Sequence, residues 1–287
     1  MSGRRYKAKS RAFKPSGKKA SVRVIPLGET GSGACDVHAV RLVSNESLTA
    51  SAAAQAIELA APFAEEFQAE FLVTPGGFGV SHPTERSCMA SERSVVGFVS
   101  DFLERIPDHR AFDIVLGIDD AEGQVQDAYF IGGSAARYSD CQRAWKSYPR
   151  ADEAERLCTK GRACPCRMVH SNGWQICMLV CHDLAAFSGR SEANRGPERE
   201  KWAKQLGSEI PHGPNTFVVH LIHYLNNARQ GKSFTSGRQQ LISEGVMSCV
   251  STFRSQDLAP SDIEMEKIRG TTARFAGPTL DLYVWAG

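Results

Sequence analysis

The chain predicts a single α/β domain with mixed sheets and helices on the outside. Three observations lead there. Apolar, β-branched runs alternate with helical periods in the first half, which is the pattern of strands crossing over through helices. In the second half strand-length runs follow one another across short polar turns, so neighbouring strands pair directly. Of 287 residues, 42% are apolar and 23% charged, a balance that excludes disordered, collagenous and fibrous classes and leaves enough material for a sizeable core.

The elements follow in order. Residues 1–21 are basic, carry no apolar period and read as disordered, with Val22–Leu27 as a short additional strand. Gly28–Gly33 is a glycine-rich loop without the Gly-Lys-Ser/Thr of a phosphate-binding loop. Asp36–Val43 reads as a strand. The alanine-rich stretch Ser47–Phe67 reads as a helix with Leu48, Ala52, Ala56, Leu59, Phe63 and Phe67 on one stripe, kinked or broken at Pro62. Glu70–Thr74 is a short buried strand stopped by Pro75-Gly76-Gly77, and Ser91–Ile106 is a helix with Val95, Val99, Phe102 and Ile106 inward. Phe112–Ile118 and Gln126–Ile131 form a hairpin across Asp119–Gly123. Tyr138–Arg167 reads as irregular and Trp174–Cys181 as an apolar strand. A polar, glycine-containing segment spans about residues 188–214. Thr216–Leu225, Val246–Phe253 and Leu280–Trp285 read as strands, and Phe234–Glu244 as a helix.

The net charge of +2 divides unevenly. Residues 1–23 hold nine Lys/Arg (Arg4, Arg5, Lys7, Lys9, Arg11, Lys14, Lys18, Lys19 and Arg23) and no acid, while the remainder holds 25 basic and 32 acidic residues. The expected organisation is therefore a basic, disordered arm over 1–34 and an acidic α/β domain over 35–287. Residues 4–23 suit contact with a nucleic acid or another acidic partner, although Tyr6 and Phe13 alone make no stacking platform. No apolar stretch follows the basic start as an export signal requires, and none reaches membrane-spanning length. The expectation is a soluble cytoplasmic protein that makes no membrane contact, its nine cysteines mostly reduced thiols.

Two constellations carry chemistry. In Leu179-Val-Cys-His-Asp-Leu184 an apolar strand delivers a thiol and then polar groups, and the carboxyl ends of strands are where α/β sheets place ligands and catalytic groups. Cys181 becomes a nucleophile there if a neighbour lowers its pKa or takes its proton. The second is Cys158, Cys164, Cys166 and His170, thiolates and an imidazole that could supply four tetrahedral zinc ligands. Lys160, Arg162 and Arg167 nearby favour thiolates with or without metal. His220 and His223, three apart on one predicted strand, face opposite sides and read as hydrogen-bonded histidines near the core.

Over about residues 36–285 the chain resembles the nitrilase (carbon–nitrogen hydrolase) superfamily. Cys181-His182-Asp183 is similar to that family's cysteine segment, and Lys146 in Arg143-Ala-Trp-Lys-Ser-Tyr148 to its lysine segment. Phe71-Leu-Val-Thr-Pro75 resembles the approach to its glutamate, with Gly76 standing where the glutamate belongs. The resemblance implies a four-layer α-β-β-α sandwich, a homodimer or larger assembly, and no organic cofactor. It further implies hydrolysis of a carbon–nitrogen bond in an amide, nitrile or carbamoyl substrate, with Cys181 as nucleophile and Lys146 stabilising the oxyanion. Glu85, in a nearby loop, is the candidate to replace the missing base; Glu70 begins the strand and points elsewhere. Two other readings stand beside this one. The first is an inactive pseudoenzyme, the fold kept as a binding scaffold after loss of the glutamate. The second is a regulatory protein holding zinc on residues 158–170.

Overall fold

A computed structural model of the chain describes residues 11–13, 20–25, 37–43, 47–66, 68–148, 153, 155–159, 162, 164, 167–188, 197–211, 213–223, 228–244, 246–253 and 281–286. The elements are β1 (Arg11–Phe13), β2 (Ala20–Ile25), β3 (Val37–Val43), α1 (Ala50–Glu66), β4 (Phe71–Val73), β5 (Gly79–Ser81), α2 (Cys88–Leu103), β6 (Asp113–Asp120), β7 (Gln126–Ile131), β8 (Gln142–Trp145), β9 (Met168–Ser171), β10 (Trp174–Val180), α3 (Pro197–Glu209), β11 (Gly213–Ile222), α4 (Ala228–Ser243), β12 (Val246–Phe253) and β13 (Asp281–Ala286). A 3-10 turn spans Tyr138–Asp140, and a longer 3-10 helix, Cys181–Phe187, follows β10 directly.

These strands form two sheets. One runs β1-β2-β13-β3-β4-β6-β7-β8, with β5 also paired to β6; the other runs β12-β11-β10-β9. The sheets face each other across an apolar layer that includes Phe71, Val73, Val115, Phe130, Met178, Phe217 and Val219. Helices α1 and α2 cover the outer face of the first sheet through Ile57, Val95, Val99 and Phe102. Helices α3 and α4 cover the second through Leu206, Phe234 and Leu241. Each such aliphatic or aromatic side chain removed from water contributes about 1.5–3 kcal/mol, so the order helix, sheet, sheet, helix is what these apolar faces dictate. The four-layer sandwich expected from the sequence is the fold observed.

Differences from the sequence reading are local. Ala20–Ile25 matches the short strand read over Val22–Leu27 to within two residues, whereas Arg11–Phe13, a strand paired to it, lies in the stretch read as disordered; residues 1–10, 14–19 and 26–36 lie outside the described residues. In α1 the buried stripe is Ala53, Ala56, Ile57, Ala60 and Ala64, because a run of alanines marks no unique face. Pro62 lies within the helix rather than ending it. It is exposed, as is Glu58, whose carbonyl loses its partner four residues on and can turn to water. Helix α3 lies in the segment read only as polar and glycine-containing; among its described residues Leu206 is buried, as is Ile210 just past its end. The three- and four-residue strands β5, β8 and β9 are too short to show a period. The expectation of mostly reduced cysteines has one exception among the described residues: Cys88 and Cys158 form a disulfide. Among the described residues no helix is long and apolar enough to cross a membrane.

Candidate active site

Strands β10 and β11 run parallel, with Val180 opposite Leu221. The residues that follow, Cys181 and then Ile222-His223, therefore leave the same end of one sheet. In the facing sheet β4 and β6 are parallel, and β8 runs in the same direction as β6 because both are antiparallel to β7. Gly76, Asp119 and Lys146 thus also leave carboxyl ends. The sheets join there through the Gly76 N–H, which donates to the Ile222 carbonyl at 3.2 Å. A cleft of about 310 Å³ opens at this edge, bordered among others by Asp119, Glu153, Cys181, His182, His223 and Phe234.

Cys181 sits where strand turns directly into 3-10 helix, at φ 48°. A non-glycine residue in the left-handed region is strained and persists only where its surroundings enforce it. Two groups do so. Asp183 is fully buried and accepts from the backbone N–H of Val180 (3.2 Å), Ser147 (3.1 Å) and Tyr148 (2.8 Å) and from Arg167 Nη1 (2.9 Å), tying the turn to the end of β8. His220, on β11, holds the Cys181 carbonyl oxygen at 2.5 Å through Nε2. Burial keeps this imidazole neutral, with its pKa down at about 3, so Nε2 carries the hydrogen and donates it.

Lys146 is wholly buried. Its ammonium donates to Gln126 Oε1 at 2.8 Å and to Glu153 Oε2 at 2.5 Å. Burial works against its charge, yet the Cys181 thiolate and Glu153 together outweigh that and raise its pKa above the ordinary value. For Cys181 burial likewise opposes ionisation. Lys146 and then His223 overcome it and hold the thiol below its ordinary value, His223 through both charge and a side-chain hydrogen bond. The contrast with the other described free cysteines is sharp, because burial pushes Cys141 and Cys164 up to about 11 and Cys177 to about 12.

His223, just past β11, is held by Asp119 at the end of β6: Nε2 lies 2.9 Å from Oδ1 and 2.8 Å from Oδ2. Burial would lower its pKa, but Asp119 and Cys181 reverse that and raise it to about 10. The turn Pro75–Gly77, which interrupts the strand between β4 and β5, makes the room. A Cβ on Gly76 would lie 3.0 Å from His223 Nδ1 and Cε1, and one on Gly77 (φ 61°) would lie 2.7 Å from Asp119 Oδ2.

The sequence-predicted residues separate clearly. Cys181 borders the cleft, and Lys146, wholly buried, lies close enough for each to shift the other's ionisation. Glu85 does not reach it: its side chain is exposed ahead of α2, 3.1 Å from Ser87 Oγ. Of the proposed zinc ligands, the Cys158 sulfur is bonded to Cys88, Cys164 is buried, His170 is exposed on β9, and Cys166 lies outside the described residues. Among the described residues no group of three or more His, Cys, Asp or Glu is placed to hold a metal. Sequence reasoning read His223 as a hydrogen-bonded histidine near the core, which it is, without assigning it to the site, and passed over Asp119, Gln126 and Glu153. His223 and Asp119 carried a usable signal, since each stands at the carboxyl end of an apolar strand, as Cys181 does.

No protein-family model matches the chain, and no curated protein matches it in sequence. Solved structures do. A cysteine-to-serine variant of the amidase from Nesterenkonia AN1, from the nitrilase superfamily, is similar over 77% of this chain and 78% of its own, with 16% identity and a TM-score of 0.53. The cysteine-to-alanine variant matches over 77% and 79%, with 13% identity and a TM-score of 0.49. Glutamine-dependent NAD+ synthetase from Acinetobacter baumannii matches over 70% of this chain and 36% of its own, with 12% identity and a TM-score of 0.44.

Proposed function

From a chain with the nitrilase-superfamily fold, we propose a hydrolase that cleaves a carbon–nitrogen bond of an amide-type substrate with Cys181 as nucleophile. The observation that carries this is the state of Cys181 itself. It is the one described free cysteine at the cleft, and the one whose thiol is pushed toward ionisation while burial pushes the others away from it. The amidase of the same fold supports the choice of bond.

The Cys181 thiolate attacks the substrate carbonyl carbon, and the carbonyl oxygen takes up the negative charge. Lys146, fixed by Gln126 and Glu153, places an ammonium beside that charge at no reorganisation cost. Collapse breaks the carbon–nitrogen bond, releases the amine and leaves a thioester on Cys181; water then attacks the thioester, freeing the carboxylic acid and the thiolate. Each half-reaction also needs a group that gives up and takes back one proton, which Gly76 cannot be.

Turnover across a panel of aliphatic amides, carbamoyl compounds and nitriles, with intact-mass detection of an acyl adduct, tests this. Cys181→Ala is expected to abolish both turnover and adduct. A C181A protein that hydrolyses as fast as the parent, or an adduct mapping to another cysteine, overturns the proposal.

A further inference from the structure

The site lacks a base where the resemblance assigns one, and the same space is occupied from the opposite sheet. A Cβ at position 76 would touch His223 Nδ1 and Cε1 at 3.0 Å, so any side chain there crowds the imidazole at 223, which must give way for both to fit. His223 is buried and borders the same cleft as Cys181, close enough to lower its thiol's pKa. Its Nε2 is committed to Asp119, which leaves Nδ1 as the nitrogen that serves the sulfur. A carboxylate on the far nitrogen fixes both ring orientation and tautomer, and stabilises the imidazolium that forms when the near nitrogen takes a proton.

We propose that His223, oriented by Asp119, is the catalytic base and acid of this site, so that the chain works through a Cys181–His223–Asp119 triad with Lys146 at the oxyanion. This rests on the hydrolase reading for its substrate but not for its geometry. In acylation the Cys181 S–H proton passes to His223 Nδ1, and sulfur bonds to the carbonyl carbon. The imidazolium returns that proton to the departing nitrogen as the carbon–nitrogen bond breaks. In deacylation Nδ1 takes one proton from water while the resulting hydroxide bonds to the thioester carbon. The tetrahedral species expels the Cys181 thiolate, giving the carboxylic acid. One amide and one water become one acid and one amine, and no other reactant is consumed. Asp119 touches neither sulfur nor substrate in this scheme and is a positioning residue.

The charged and titratable groups around His223 come from several elements: Asp119 from β6, Lys146 after β8, Glu153 beyond it, Cys181 after β10, and neutral His220 on β11. Lys146 remains in any His223 variant, so removing the imidazole raises the thiol's pKa without returning it to that of the other cysteines.

The test needs no known substrate. The rate of Cys181 alkylation by iodoacetamide, read by peptide mass spectrometry in the full chain from pH 4 to 10, reports the thiolate directly. In the parent the rate is expected to rise at a pH well below an ordinary thiol's. His223→Gln is expected to shift that rise upward by a pH unit or more, and Asp119→Asn by a smaller amount in the same direction. Thermal unfolding of each variant confirms that it is folded. With a substrate in hand, H223Q is expected to lose about 10²- to 10⁴-fold in kcat, and D119N to alter the pH profile of kcat with little change in KM. An H223Q alkylation profile that coincides with the parent's overturns the triad, whatever becomes of the hydrolase reading. A shifted profile in a chain that hydrolyses no amide keeps the thiol–imidazole pair and removes the hydrolase.

Discussion

At the residue scale, chemistry here is decided by neighbours rather than by residue type. Cys177 and Cys181 are four residues apart in one apolar run, yet burial outweighs the Arg167 charge at the first, while Lys146 and His223 reverse its effect on the second. The sequence exposed the position of Cys181, because strand end and polar flank are local patterns. It concealed the histidines. Three residues apart on a strand, His220 and His223 should diverge, but β11 ends at Ile222; His220 holds the Cys181 carbonyl, and His223 borders the same cleft as Cys181. Their pKa values separate accordingly. His220 stays neutral down to about pH 3, whereas in the unfolded chain it takes a proton near 6.5. The unfolded state therefore binds more protons between these values, and stability falls as pH drops through that window, at up to about 1.4 kcal/mol per pH unit for a single group. Asp127, raised to about 6 by burial, acts in the opposite sense between about 3.8 and 6, so the difference between two proteins isolates the histidine. His220→Gln, which retains a side-chain donor, is expected to lose stability less steeply than the parent between pH 6.5 and 4. Urea unfolding midpoints at four pH values measure this, and parallel curves would argue that His220 is protonated in the fold.

At the scale of elements, long runs were legible and short ones were not. Gln126–Ile131 and Val246–Phe253 fall as read, since six or eight apolar-rich residues bounded by turns leave little choice. The three residues of β5 form a strand only because β6 extends past Gly117. There the Pro75–Gly77 turn lies so close that a Cβ would meet the Pro75 oxygen at 2.2 Å. Covalent pairing was equally hidden. Cys158 looked like the first member of a local cluster, while its sulfur pairs with Cys88, 70 residues earlier at the start of α2. The bond anchors the segment that supports the lysine: the Cys158 N–H donates to the Gln124 carbonyl at 2.9 Å, and Thr159 Oγ1 donates to the Lys146 carbonyl at 2.8 Å. Cys88→Ser is expected to cost about 2–4 kcal/mol of stability, the usual effect of opening a loop of this size. Dithiothreitol should lower the parent's unfolding midpoint to a similar degree while leaving that of C88S unmoved. A parent insensitive to the reductant at full reduction, checked by thiol titration, contradicts this.

At the scale of the whole molecule, two facing sheets bring their carboxyl ends to one edge, and which sheet supplies the base is a choice the fold leaves open. The first sheet offers position 76, at the turn after β4; the second offers position 223, after β11. Their backbones touch through the Gly76 N–H and the Ile222 carbonyl, and a Cβ at position 76 would crowd the His223 ring at 3.0 Å. The sequence showed a glycine at position 76, where the resemblance assigns a glutamate, because that is a local pattern. It could not show that position 223, 147 residues further along the chain, comes to lie beside it, because that arises only when the sheets pack. A base can therefore be moved between sheets. His223→Ala empties the site, and Gly76→Glu in that background places a carboxylate where the imidazole stood, at a backbone position outside the left-handed region. The double variant is expected to recover at least tenfold of the turnover lost by H223A. Gly76→Glu alone, with the imidazole still in place, is expected to be worse than the parent in both turnover and stability, because the two groups then compete for one space. Steady-state kinetics and unfolding midpoints of the three proteins measure both effects. A single variant that folds and works as well as the parent would show that positions 76 and 223 do not share the site.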